Sequence, residues 1–334
     1  MAKAKKLPSG NWRVRVYVGK DKAGKDIYKS FTADTKKEAE FLAAEYLIKT
    51  KDATERKILG ALIDDYIESR ESILSPSTIQ GYKKIRRNNF QQLMRLPVDK
   101  IDNATLQKAI NAEAKHLSAK SIANAYGLIS SVLSQNTYYR YSVTLPKKQK
   151  KIKNLPQPED IMRIVKGTEI ELPVLLAMWL SFRMSEIKGF RKQDIVDGVI
   201  TVNQTMIYVN NEYVVKQETK TPESRRSIRL PDYIFSLISA LPKEQEYLVT
   251  LSGQAIYKRF SRLLEKNNIQ HIAFHDLRSI NASVMHMLGV PDKYAMERGG
   301  WETDAILKSV YQQTFSTERV KVDEKIDNFF NQFL

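Results

Sequence analysis

The chain contains no cysteine. Disulfides, thiolate nucleophiles and zinc sites built on sulfur are therefore excluded. Histidine is nearly as scarce, with four in 334 residues, so acid–base work by imidazole has few places to reside. No uninterrupted apolar run approaches the ~18 residues needed to span a bilayer. The start, MAKAKKLPSGNW, is basic but has no apolar signal-peptide segment behind it. There is no P-loop and no Asp/Glu constellation at metal-ligand spacing. These absences leave the expectation of a cytosolic protein that works away from membranes.

Acidic residues are in deficit, 38 against 54 lysines and arginines, for a formal charge of +16. A soluble chain this basic usually meets a polyanion, and nucleic acid comes before a membrane surface. Charge alone would also fit a basic surface kept for solubility. Hydrophobic residues make up 42% of the chain, enough to build cores. The length suggests two or three domains.

Residues 1–52 read as a small sheet backed by a helix. NWRVRVYV alternates apolar residues with arginines, GKDKAG supplies a turn, and KDIYKSF returns. Thr35 and Glu38 fit a capping box opening the helix that follows. The strand faces carry Arg13, Arg15, Lys20, Lys25 and Lys29, and such a sheet can enter a DNA groove. An ordinary solvated face would look the same. Residues 55–145 read as helices throughout. One begins at Ser75–Pro76 and gathers Lys83, Lys84, Arg86 and Arg87 away from its apolar face. Residues 146–157 form a basic, proline-bearing linker with Lys147, Lys148, Lys150 and Lys151, able to follow a phosphate backbone. Residues 158–334 read as a larger, mainly helical domain with a small antiparallel sheet whose hairpin turns at Asn210–Asn211. The fold class expected is multidomain α+β.

Four stretches of that last domain could do chemistry. His275 and Arg278 lie at i and i+3 in FHDLR, so both project from one side of a helix start and can donate to phosphate oxygens. Arg183 follows an apolar helix in LSFRMSEI, with Glu186 one turn on to hold its guanidinium. Lys220 falls between two strands, where an ammonium can protonate a leaving oxygen. Tyr311 ends the stretch after GGW, and cations around a target phosphate would favour its phenolate. Taken singly, each has an ordinary structural explanation, such as an i,i+3 ion pair or one tyrosine among sixteen.

In this order, Arg, Lys, His-x-x-Arg, Trp and Tyr, the chain resembles the tyrosine recombinase (phage-type integrase) family. The residues that carry the resemblance are Arg183 in RMSEI, Lys220 in TKT, His275 and Arg278 in HDLR, Trp301 in GGW and Tyr311. It implies an N-terminal arm-type DNA-binding domain, a helical core-binding (SAM-like) domain and a catalytic domain. It also implies a metal- and ATP-independent site-specific recombinase. Tyr311 would attack the scissile phosphate and form a 3′-phosphotyrosyl link. Arg183 and Arg278 would clamp the non-bridging oxygens. His275 would assist proton transfer, Lys220 would protonate the departing 5′-oxygen, and Trp301 would donate its indole N–H.

The partner implied is double-stranded DNA at core-type and arm-type attachment sites, with a host bending protein and a directionality factor as further partners. A homotetramer would form through the C-terminal tail with Val320, Ile326, Phe329, Phe330 and Phe333; the alternative is a tail folded onto its own domain. The element moved would be a prophage or conjugative transposon in a bacterial cytosol. Two departures stand out: Trp301 where the family often has histidine, and Ser181 where it often has glycine. Indole donates but does not accept, so Trp301 cannot shuttle a proton. The competing readings are a type IB topoisomerase, a non-catalytic architectural DNA-binding protein and, from VPDKY, a metal-dependent nuclease lacking its partner acids.

Overall fold

A computed structural model of the chain describes residues 4–20, 26–54, 58–148, 154–217, 225–311, 324 and 326–331. Residue contacts divide it into two units, Met1–Gln149 and Lys150–Leu334.

The first unit opens with strands β1 (Lys5–Lys6), β2 (Trp12–Lys20) and β3 (Asp26–Ala33), an antiparallel sheet in that order. Period-two alternation sorts the residues of β2. Val14 and Val16 are buried against Ala39 and Ala43 of helix α1 (Lys36–Thr54), while Arg13 and Arg15 face outward. Thr35 accepts from the Glu38 N–H at 3.2 Å, giving the expected N-terminal cap. Register separates the cations of this sheet. Arg13 and Arg15 oppose Thr32 and Ser30, but Lys29 opposes Val16 and so belongs to the helix-side face. There its ammonium lies 4.5 Å from the centre of the Tyr46 ring.

The same unit continues through α2 (Leu59–Glu68), α3 (Pro76–Asn88), α4 (Gln91–Met94), α5 (Asn103–Glu113) and α6 (Ala119–Asn136). Their apolar stripes meet in a second core, separate from that of the sheet, containing Leu59, Ile63, Phe90, Leu106, Ile122 and Ile129. Pro76 occupies the first turn of α3, where its missing N–H costs nothing. Asp102 and Ser118 cap α5 and α6 by accepting backbone N–H groups.

The second unit holds α7 (Pro158–Val165), α8 (Glu171–Met178) and α9 (Met184–Gly189), then strands β4 (Ile195–Val196), β5 (Val199–Thr201), β6 (Thr205–Val209), β7 (Glu212–Lys216) and β8 (Ser227–Arg229). Strands β4, β5 and β8 make one antiparallel sheet, and β6 and β7 a hairpin. Asn210 and Asn211 turn that hairpin at φ 52° and 67°, the left-handed pair that a two-residue turn requires. Helices α10 (Asp232–Ser239), α11 (Gly253–Lys266), α12 (Asp276–Met287), α13 (Asp292–Gly299) and α14 (Asp304–Tyr311) follow. Helix α8 is buried on every side, and α12 packs against it. Helix α14 packs on α12 and α13 through Leu307, beside Ala282, Met285 and Trp301. No helix among the described residues is long and apolar enough to cross a membrane.

Candidate active site

The site is built on the end of α13. A helix leaves its last carbonyls without intrahelical donors. Here Gly300 takes the left-handed conformation at φ 62°. The Trp301 N–H then bonds the Met296 carbonyl at 3.1 Å, and the Gly300 N–H bonds that of Glu297 at 3.4 Å. The next three carbonyls each receive a different arginine. Arg226 Nε donates to Arg298 at 2.9 Å, Arg278 Nη2 to Gly299 at 2.8 Å and Arg183 Nη2 to Gly300 at 2.7 Å. The negative end of the helix thus collects the guanidiniums.

GGW has a different reason at each position. A Cβ on Gly299 would fall 1.9 Å from Trp301 Cζ3, so that glycine makes room for the indole. Gly300 supplies the left-handed turn. Trp301 is buried, and the Arg278 guanidinium carbon lies 5.3 Å from its ring centre.

A second strained turn faces this one. Ser181, between α8 and α9, has φ 58° and is fully buried. That conformation aims its carbonyl inward, where it accepts from Arg278 Nη1 and, at 3.1 Å, from Arg226 Nη2. The expected departure at Ser181 therefore preserves a turn that glycine would make without strain. Ser181 Oγ is buried with no hydrogen-bond partner among the described residues. Relief of left-handed strain, ~1–2 kcal/mol, and of an unpaired hydroxyl outweighs the ~0.5–1 kcal/mol entropic cost of glycine. Ser181→Gly is expected to raise stability by about 1 kcal/mol in thermal melts; an unchanged or lower Tm would refute that account.

Glu186 is the carboxylate of the cluster and is 1% exposed. Its Oε1 accepts from Arg183 Nη1 at 2.7 Å and from Arg226 Nη1 at 3.3 Å. Its Oε2 accepts from the Arg183 N–H and from Arg226 Nη2, both at 2.9 Å. Burial works against its charge, yet Arg226 and Arg183 together hold the carboxyl below the usual range. Arg278 is 3% exposed. Burial first, then the charges of Arg183 and Arg226, push its guanidinium down to about 9, with Glu186 opposing. Its Nε has no acceptor among the described residues. Two guanidiniums thus bond a single carboxylate, and the Arg278 guanidinium is near enough to feel its charge. The Arg183 side chain keeps 26% of its surface exposed and forms the accessible edge.

His275 stands at the N-cap of α12 and is exposed, one turn ahead of Arg278, whose N–H bonds its carbonyl at 3.2 Å. Tyr311 is the last residue of α14, and only its backbone is described. Lys220, Lys25, Lys150, Lys151, Val320 and Phe333 lie outside the described residues. Arg183, Glu186, Arg278 and Trp301 are brought together. Arg226, which no sequence motif singled out, joins them. Its signal was period-two alternation: Ile228 is a core residue of β8, and position 226 shares its face.

The cations expected to meet DNA in the first unit divide in two. Arg13, Arg15, Lys84, Arg87, Lys147 and Lys148 are exposed. Lys83 pairs with Glu71 at 2.7 Å, and Arg86 bonds Asp64 at 2.9 Å and the Gly60 carbonyl at 3.0 Å, fastening α3 to α2. Lys20 ends β2.

Residues 155–318 match the model of the phage integrase family. The chain is 22% identical to a XerC-like tyrosine recombinase of Caldanaerobacter subterraneus subsp. tengcongensis, over 96% of each chain. Among solved structures it is similar to the Tn1549 transposon integrase in complex with transposon right end DNA, with a TM-score of 0.66 at 16% identity, covering 81% of this chain and 100% of that one. It is also similar to a lambda integrase tetramer bound to a Holliday junction, with a TM-score of 0.60 at 14% identity, covering 93% and 95%. With the Arg183, His275–Arg278 and Tyr311 pattern inside the matched region, residues 155–318 form a domain of the phage integrase family, that of the tyrosine-type site-specific DNA recombinases.

Proposed function

We propose that this recombinase cleaves and rejoins DNA through a 3′-phosphotyrosyl intermediate, to integrate or excise a mobile element such as a prophage or conjugative transposon. Arg183 and Arg278 clamp the non-bridging oxygens of the scissile phosphate, and Glu186 holds Arg183. The Tyr311 oxygen attacks phosphorus as the 5′-oxygen leaves, protonated by Lys220. His275 assists proton transfer, and Trp301 packs under Arg278 and offers its N–H. The phosphodiester bond energy passes to the tyrosyl ester, so a second 5′-hydroxyl reverses the step and seals the new joint.

One observation carries this reading. Buried charges are normally matched, yet three guanidiniums gather at the end of α13 near one carboxylate, and Arg278 Nε has no acceptor among the described residues. A site rich in positive charge, with one arginine partly exposed, suits a phosphate.

The partner is double-stranded DNA. Residues 1–52 would bind arm-type sites, 55–145 core-type sites and 158–334 the scissile phosphate, with 146–157 linking them. Ile326, Phe329 and Phe330 are exposed on the helical segment 326–331, which favours a tail that docks on a neighbouring protomer of a tetramer. A host bending protein and a directionality factor complete the assembly. Lysine and arginine contacts displace condensed counterions, so raising salt from ~50 to ~200 mM should cost at least about 10-fold in DNA affinity; a flat response would contradict phosphate binding.

The chemistry is tested by covalent capture. The protein is incubated with a pool of nicked random duplexes, detergent-resistant adducts are recovered, and both the DNA and the linked peptide are sequenced. The expected peptide contains Tyr311. No adduct, or attachment through another residue, defeats the proposal.

A further inference from the structure

Arg226 holds none of the roles assigned above, yet its contacts reach every part of the cluster. It is 8% exposed. Its fork covers both oxygens of Glu186, at 3.3 and 2.9 Å. The same guanidinium joins the Ser181 carbonyl at 3.1 Å to the Arg298 carbonyl at 2.9 Å, with its carbon 4.9 Å from the Phe182 ring centre. The Ser181 turn and the end of α13 are the two backbone pieces that hold the clamp. Arg278 hangs between them, on the Ser181 and Gly299 carbonyls, and Arg183 hangs on Gly300.

We propose that Arg226 is a positioning residue of the phosphate site, spacing the Arg183 and Arg278 clamps by bridging Glu186, the Ser181 turn and the end of α13. It does not itself touch the phosphate. The inference rests on the reading of Arg183 and Arg278 as the clamp.

The test uses Arg226→Lys in the full chain, which keeps the charge but cannot bridge Glu186, Ser181 and Arg298 with one ammonium. The substrate is a duplex recovered by covalent capture, nicked, with either a normal scissile phosphate or a methylphosphonate there. The methylphosphonate lacks the negative charge that the clamp compensates. R226K is expected to bind the duplex within about 3-fold of wild type and to form the adduct at least 30-fold more slowly on phosphate, roughly the loss of one preorganised donor. On methylphosphonate the two proteins should be indistinguishable. Adduct formation within about 3-fold of wild type on phosphate, or the same deficit on both substrates, overturns the inference and leaves Arg226 a structural brace. If R226K fails to fold, R226Q, which leaves Glu186 paired with Arg183, carries the same comparison. A wild-type chain that forms no adduct defeats the clamp reading itself, and this inference with it.

Discussion

Tyr311→Phe is expected to abolish the covalent DNA adduct while leaving DNA binding within about 3-fold of wild type. The change deletes one oxygen atom, and no other phenol shares its place in the HDLR–GGW–Tyr311 order. Removing the nucleophile of an enzyme whose catalytic groups act together costs orders of magnitude, at least ~10³-fold in the bond-forming step. The variant keeps the ring and loses one oxygen, so the melting temperature should stay nearly unchanged. The readout is a denaturing gel of protein with nicked duplex, beside a binding titration at fixed salt. A pure architectural protein would show no adduct in either form, and an enzyme using a different nucleophile would keep it in the variant.

Glu186→Gln should be the most damaging conservative change to the fold. The side chain keeps its shape but loses the charge that the hydrogen bonds place between Arg183 and Arg226. Breaking a buried pair by neutralising one partner leaves the other charge uncompensated, at about 3–5 kcal/mol. For a unit of this size that lowers Tm by on the order of 10 °C. The pH dependence follows from the direction of the shift. The folded-state pKa lies below the ordinary glutamate value, so the contribution of Glu186 is fully present above the unfolded-state pKa. It is lost as pH falls through the folded one. The stability gap between wild type and variant should therefore be widest at neutral pH and close as the solution is acidified below the ordinary glutamate pKa of about 4.3. A gap under 1 kcal/mol at pH 7, or one that widens in acid, would show that the carboxylate does not hold the arginines.

Much of the catalytic unit was legible because its determinants are local. His275 and Arg278 share one helix start, Arg183 and Glu186 are joined across one turn, and the Asn-Asn hairpin follows from backbone preferences at adjacent residues. Each depends on a fixed helical or turn geometry that spacing alone prescribes. Arg226 was not legible as part of the site, because its partners Ser181, Glu186 and Arg298 lie 45, 40 and 72 positions away. No periodicity reports such distances. The same holds for the basic residues of the first unit. Composition announces their number, but only strand register turned Lys29 to the side of Val16, and only helix packing tied Arg86 to α2.

The sequence by itself determined the chemical inventory and its order along the chain: the tyrosine after GGW, the His-x-x-Arg pair, the absence of thiols and the surplus of positive charge. Tertiary structure decided which cations are spent on backbone carbonyls and carboxylates and which remain for a phosphate. That choice depends on where helix ends and strained turns leave unpaired acceptors, and those acceptors belong to backbone segments that meet only in the folded chain.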